Sequence, residues 1–215
     1  MSAHLTSIWL DEREAAHQRL FDTYDWHQAA WKCFPGRDDT QRDFLTRLDA
    51  RDGGFRLFIV SPLPPARPAW CEAGEWRTKE IPASYFQRRR YCFQLRANPT
   101  RKVRADGPDG TRKKNGRRQA LTQPEALREW LQRKGATGGF RVEGLEPQSD
   151  TPCAIAPARR FYFHREKDGQ RGLHAGVDFT GRLEVIDPAL FHETFRAGIG
   201  SAKSFGFGLL IIAPA

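Results

Sequence analysis

Tyr24 and His27 stand three residues apart, so on a helix their side chains share one face. An imidazole with an ordinary pKa of about 6.5 both takes and gives a proton near neutral pH. A phenol beside it can orient a hydroxyl or donate to an oxyanion, so the pair could perform general acid–base chemistry. Trp31 and Phe34 continue the same steps of three and four. The four residues therefore read equally well as the packed face of an amphipathic helix. The second chemical candidate lies near the C-terminus. A helix is expected to end at Gly198, and a loop then carries Gly198, Gly200, Gly206, Gly208, Lys203, Phe205 and Phe207 before an apolar strand over residues 209–214. Glycine lets a backbone come close to a ligand, and several N–H groups beside a lysine suit an anion such as phosphate. A tight helix-to-strand turn without a ligand is the alternative. A nucleotide-binding P-loop is excluded, because Ala202 and Ala197 occupy the positions where that motif needs glycine, and the loop leads into a strand, not a helix.

Other chemistries find little support. Cys33, Cys71, Cys92 and Cys153 are scattered with no C-x-x-C pair, so zinc and redox motifs are absent and four buried free thiols are expected. His4, His17 and His192 have no metal-like partner at short spacing. Asp38 and Asp39 read as loop or capping residues, not as paired carboxylates for two metal ions. Ser201 and Ser204 have no adjacent base. No cofactor is expected. No run of 18 apolar residues marks a membrane span, and the first residues lack the pattern of a secretion signal, so a cytoplasmic location is expected.

Charge is concentrated. The chain of 215 residues carries +9, yet residues 88–118 alone hold twelve arginines and lysines against Asp106 and Asp109. A surplus gathered in one stretch, interleaved with asparagines and glycines, suits a polyphosphate partner, whereas a solvated loop is the bland reading.

The elements that must position these residues follow from periodicity and punctuation. Residues 4–10 read as a strand, the stretch from Tyr24 as a helix stopped by residues 34–36, and residues 42–48 and 55–60 as a hairpin around the turn at 52–54. Residues 61–68 form a stiff proline-rich connector; a second helix is expected from Ala69 and a strand over 76–81. This is the order βαββαβ. A second such unit begins with a strand at 90–98 and continues as a basic loop. A helix over 123–134 follows, with Pro124 at its start and Gly135 at its end. Next come a strand at 140–145, a long hairpin (160–164 and 173–179, tip at 167–169), a strand at 181–186, and a helix capped by Asp187. The fold class expected is α+β, two tandem ferredoxin-like (RRM-like) domains over residues 1–86 and 87–215.

The tail, with Gly198-Ile199-Gly200, Lys203, Gly206 and Gly208, resembles the glycine-rich loop of the CRISPR repeat-processing proteins, in the form closest to the CasE family, the crRNA endoribonuclease of type I-E Cascade. The segments at 24–27, 93–99, 130–134 and 181–185 lie in the order and spacing of that family, so the resemblance covers nearly the whole chain. It implies two ferredoxin-like domains and a metal-independent cut beside the stem-loop of each CRISPR repeat. The 2′-hydroxyl attacks the adjacent phosphate and leaves a 2′,3′-cyclic phosphate, and the crRNA stays bound within a Cascade complex. The family's catalytic histidine and tyrosine fall on His27 and Tyr24. The resemblance does not divide the roles of base and acid between them, nor say whether Lys203 is catalytic. RNA contacts are then expected from Arg96, from Arg101, Lys102, Arg104, Arg112, Lys113, Lys114, Arg117 and Arg118, from the hairpin through Arg159, Arg160, His164, Arg165 and Lys167, and from Ser201 and Lys203. His174 flanks the same hairpin. Phe205 and Tyr162 are candidates for stacking on unpaired bases, while Phe161 and Phe163 share one strand face and read as core. The implied partners are precursor and mature crRNA and other Cascade subunits, with no membrane. Rival readings are a non-catalytic RNA-binding subunit and a general double-stranded nucleic-acid binder.

Overall fold

A computed structural model of the chain describes residues 3–37, 41–103, 117–146, 148–165 and 169–215. The first half holds β1 (Ala3–Asp11), α1 (Glu12–His17), α2 (Thr23–Trp31), β2 (Leu45–Arg51), β3 (Gly54–Ser61) and β4 (Trp76–Ile81). The strands form an antiparallel sheet in the order β2-β3-β1-β4, which agrees with a ferredoxin-like arrangement. Asp11 caps α1 by accepting from the Glu14 amide. Asp22 and Asp25 form a capping box at the start of α2. One side of the sheet buries Ile8, Leu10, Leu57 and Ile59 against Trp26, Ala29 and Ala30 of α2.

The expected limits shift in three places. α2 ends at Trp31, ahead of the proline and glycine, and Phe34 lies beyond it, stacked on Phe44 with ring centroids 4.7 Å apart. β2 begins at Leu45, so Arg42 precedes the strand. No α-helix forms between β3 and β4; a single 3-10 turn at Ala73–Glu75 takes its place. Pro62, Pro64, Pro65 and Pro68 lack an amide donor and hold the preceding chain extended. The sheet order survives because strand pairing, not the crossover helix, fixes it.

The second half holds β5 (Arg90–Ala97), β6 (Thr100–Val103), β7 (Arg117–Ala120), α3 (Pro124–Thr137), β8 (Phe140–Val142), β9 (Ala154–Ile155), β10 (Arg159–Arg165), β11 (Gln170–Val185), α4 (Pro188–Ala197) and β12 (Leu210–Pro214). Its sheet runs β10-β11-β5-β12, with β8 and β9 also paired to β11. The two strands expected at 173–179 and 181–186 are one continuous β11. The two described ends of the basic segment pair as β6 and β7. α3 runs on through Gly135, where the packing leaves no room for a side chain: a Cβ there would sit 2.7 Å from the Phe140 carbonyl oxygen.

Leu127, Trp130 and Leu131 of α3 and Phe191 and Phe195 of α4 cover Tyr91, Phe93, Leu95, Phe179 and Leu183 of the sheet. Ala3, Leu45, Val60 and Ile81 of the first sheet join this same core, so the two halves share a buried boundary. Cys33, Cys71 and Cys153 are buried thiols. Cys92 is exposed, contrary to expectation, because it faces away from the helices on β5.

Candidate nucleic-acid interface

α2 is tied to the opposite half at its first turn. Asp22 Oδ1 accepts from the Tyr24 amide (2.7 Å) and the Asp25 amide (3.1 Å). Its Oδ2 accepts from the His164 amide of β10 at 2.6 Å. One carboxylate therefore caps the helix and holds the edge strand of the second sheet.

His27 lies one turn further on and is only 5% exposed. Its Nε2 accepts from Trp31 Nε1–H at 3.2 Å, and its Nδ1 is enclosed without a partner. The ring sits 5.6 Å from that of Phe44. Burial, and then the positive charge of Arg42, lower its pKa to about 4, so the imidazole is neutral at pH 7. The packed-face reading accounts for this placement: His27 sits in the core as a neutral ring. In this state neither nitrogen is offered to solvent.

The C-terminal loop closes over the same region. Gly198 ends α4 at φ +75°, the Ile199 amide donates to Gly208 O (2.9 Å), and the Gly208 amide donates to Arg96 O (2.7 Å). The loop between them makes a 3-10 turn at Lys203–Phe205. Phe205 is the contact point: its ring lies 4.3 Å from Phe163, 4.6 Å from His174 and 6.3 Å from Tyr24. The loop thus meets both α2 and the hairpin.

Arg42, which no motif marked, completes the arrangement. Its Nη1 donates to Phe44 O (2.8 Å) and Lys203 O (3.2 Å). Lys203 Nζ donates to Ala197 O at 2.6 Å. Burial is the first cause of a lowered pKa for both cations, and Arg42 further depresses Lys203. Among the described residues neither is paired with a carboxylate. They line a cavity of about 510 Å³ with Asn98, Thr100, Arg118 and Ser201. Ser201 Oγ donates to Asn98 O (3.0 Å) and lies 3.4 Å from Thr100 Oγ1. His174, whose pKa burial lowers, leaves Nε2 enclosed and unpartnered, with Nδ1 3.3 Å from Asn98 Nδ2. Two partly desolvated cations whose hydrogen bonds go to neutral carbonyls, with only the neighbouring Asp43 charge favouring Arg42, form a site suited to an anion.

The remaining expected contacts divide. Lys102 and Arg118 are exposed on β6 and β7; Arg101 is exposed and donates twice to Gln119 Oε1. Arg160 and His164 are exposed on β10. Arg159 pairs with Asp178 at 2.5 Å and stands over the Phe161 ring. Arg96 is placed differently from expectation. It is 13% exposed and engages Asp178 (2.8 Å), Asp49 (3.3 Å) and Leu48 O (2.5 Å), so it joins the two sheets. Arg117 and Arg165 lie in β7 and β10. Arg104, Arg112, Lys113, Lys114 and Lys167 lie outside the described residues. No functional expectation from sequence fell on Arg42 or Asp22, whereas Asn98 belonged to the basic stretch and the 93–99 motif. Of the first two, only the aspartate carried a signal, as the polar residue before a helix.

Two antiparallel sheets that share a core, with a cationic cavity between the C-terminal loop, β6, β7 and β11, define an α+β protein whose site suits an anion. The model of the family described as CRISPR associated protein matches residues 3–214, and the chain belongs to that family. The chain is 31% identical over 222 residues to the CRISPR-associated endoribonuclease Cse3 of Thermus thermophilus, covering 98% of this chain and 99% of that one. It is 32% identical over 198 residues to the CRISPR system Cascade subunit CasE of Escherichia coli, covering 90% and 92%. The solved structure of Thermus thermophilus Cse3 bound to an RNA representing a pre-cleavage complex superposes with a TM-score of 0.76 at 26% identity and full coverage of both chains. Among the described residues, no helix is long and apolar enough to cross a membrane.

Proposed function

We propose that this chain is a cytoplasmic endoribonuclease that cuts CRISPR repeat RNA beside its stem-loop and keeps the product stem-loop as a subunit of a Cascade assembly. The reaction needs no metal or cofactor. The RNA 2′-oxygen bonds to the adjacent phosphorus while a base takes its proton. The bond from phosphorus to the 5′-oxygen breaks, and an acid protonates the departing oxygen. The products are a 2′,3′-cyclic phosphate and a 5′-hydroxyl.

The observation that carries this reading is the pair Arg42 and Lys203 in one cationic cavity, with His27 behind it in the field of Arg42 and Tyr24 joined to the same loop through Phe205, ring centroids 6.3 Å apart. Arg42 and Lys203 balance the charge that grows on the phosphorane, and they do so from partly desolvated positions where electrostatics is strong. His27 is neutral at pH 7 but a weak base while buried, its pKa lowered to about 4, so it serves as the base only after it leaves this enclosure. To reach the RNA its ring turns away from Trp31, which frees Nε2. Tyr24 orients the attacking hydroxyl. Arg101, Lys102, Arg118 and Arg160 supply phosphate contacts along the stem, which A-form geometry presents as shape and backbone charge. Product retention follows from many such contacts.

The test is incubation with repeat stem-loop RNA in excess EDTA, beside His27→Ala, followed by analysis of the RNA ends. One cut with a 2′,3′-cyclic end, lost in the variant while binding persists, supports the nuclease. The enclosure of both His27 nitrogens favours a second reading, a non-catalytic RNA-binding subunit. Tight binding with no cut by either protein would establish it instead.

A further inference from the structure

A separate cavity of about 410 Å³ opens between the first turn of α2 and the edge strand β10. Its lining is mixed: Trp26, Leu57 and Phe207 are apolar, while Thr46 is polar and Arg96 and Arg159 reach it already bonded to Asp178. Two aromatic rings stand in water at its rim, Phe21 at 75% exposure and Tyr162 at 63%. Large exposed aromatic groups lining one cavity mark a surface that something covers. Arg160, one side-chain step from Tyr162 on the outer face of β10, makes no ion pair among the described residues. Thr23 also lines the cavity, and its hydroxyl is enclosed without a hydrogen-bond partner. Buried hydroxyls are nearly always bonded, so this orphan marks a place for a polar ligand atom. Asp22 adds no free acceptor there, since its oxygens hold the Tyr24, Asp25 and His164 amides.

We infer that this cavity takes one unpaired nucleobase of the bound RNA, stacked on Tyr162 and Phe21, bonded at its edge by Thr23 Oγ1, and followed by a phosphate against Arg160. The inference rests on the RNA-binding reading above. A paired base hides its faces in the stack and its edge in the pair. An unstacked one offers a π face to the rim aromatics and a polar edge to the hydroxyl. The volume lies in the range that encloses a small planar ligand. None of Phe21, Thr23 and Tyr162 takes part in the chemistry assigned to His27 and Lys203, so the cavity would select where the RNA sits without performing the cut.

The experiment measures affinity by fluorescence anisotropy for repeat stem-loop RNAs with single-stranded flanks, each carrying one abasic nucleotide at a different unpaired position. Wild type, Tyr162→Ala and Thr23→Val are compared, with thermal midpoints as the check on folding. Both Tyr162 and Phe21 are exposed, so their truncation leaves the core intact. At one position loss of the base should weaken wild-type binding by about 5- to 100-fold. The same loss should weaken Tyr162→Ala clearly less than wild type, because one of the two stacking partners is already gone. Thr23→Val should keep the stacking sensitivity but lose discrimination among bases at that position. The inference is overturned if no abasic position matters to wild type, or if Tyr162→Ala stays as sensitive to the lost base as wild type. If wild type binds none of these RNAs, the RNA-binding reading falls, a result distinct from binding that is indifferent to the base.

Discussion

His27 is kept neutral by burial and by the Arg42 charge, which act in the same direction. The unfolded chain binds a proton on this residue below about pH 6.5, the folded one only below about 4. Between these values the unfolded state carries more protons, so stability is complete above pH 6.5 and falls as pH drops toward 4. The loss attributable to His27 is up to roughly 3 kcal/mol. Urea unfolding from pH 4 to 7 should show this limb, and His27→Gln should flatten it, leaving the smaller contributions of His174 and His192, whose pKa values burial also lowers. Arg42→Gln tests the electrostatic half of the argument. Removing the charge should raise the His27 pKa, read by NMR titration, and should slow cleavage by about 100-fold if the guanidinium stabilises the phosphorane. A slowed enzyme with an unmoved His27 titration would deny Arg42 its contact with the imidazole.

At the scale of elements, local propensity and packing disagree at one informative place. Gly135 looks like the end of a helix in sequence, yet α3 continues to Thr137. Alanine would favour the helix by about 1 kcal/mol. A Cβ at this position, however, would lie 2.7 Å from Phe140 O, and backbone cannot yield as a flexible side chain can. Steric overlap wins, so Gly135→Ala should lower the thermal midpoint despite the better propensity. A raised midpoint would show that the turn into β8 can shift at little cost. The glycine loop follows the same logic. Gly208 has φ +87°, and a Cβ there would meet Ile199 O at 2.7 Å, so the residue is required by both conformation and space.

At the scale of the whole molecule, Arg96 decides how the halves sit together. Its guanidinium meets Asp49 and Leu48 O of the first sheet and Asp178 of the second, at 13% exposure. Asp49 keeps Arg47 and Asp178 keeps Arg159, so removing Arg96 costs its own charged hydrogen bonds and the link between sheets, about 1.5–3 kcal/mol. Arg96→Ala should therefore lose stability of that order in urea unfolding. The salt dependence of RNA affinity should stay unchanged if Arg96 serves only its two aspartates. Arg118→Ala should behave in the opposite way, with little stability change and a salt slope reduced by about 1. A reduced slope in Arg96→Ala would return that residue to the RNA-binding set.

The order of elements, the strand periodicities, the turn at 52–54, the capping of α4 by Asp187 and the concentration of positive charge were legible in the chain, because each is set by neighbours within a few residues. The resemblance drawn from local motifs likewise led to the family whose model matches residues 3–214. What only the tertiary structure decided is the environment of each side chain. Proline-rich sequence after β3 left no helix there, and the enclosure of His27 depended on Phe44, beyond its own helix. Arg42 gained its place from Lys203, and Asp22 its second bond from His164, partners 161 and 142 residues away. Sequence periodicity records which face of an element is apolar. It does not record which distant segment that face will meet, and desolvation, ion pairing and pKa all depend on that meeting.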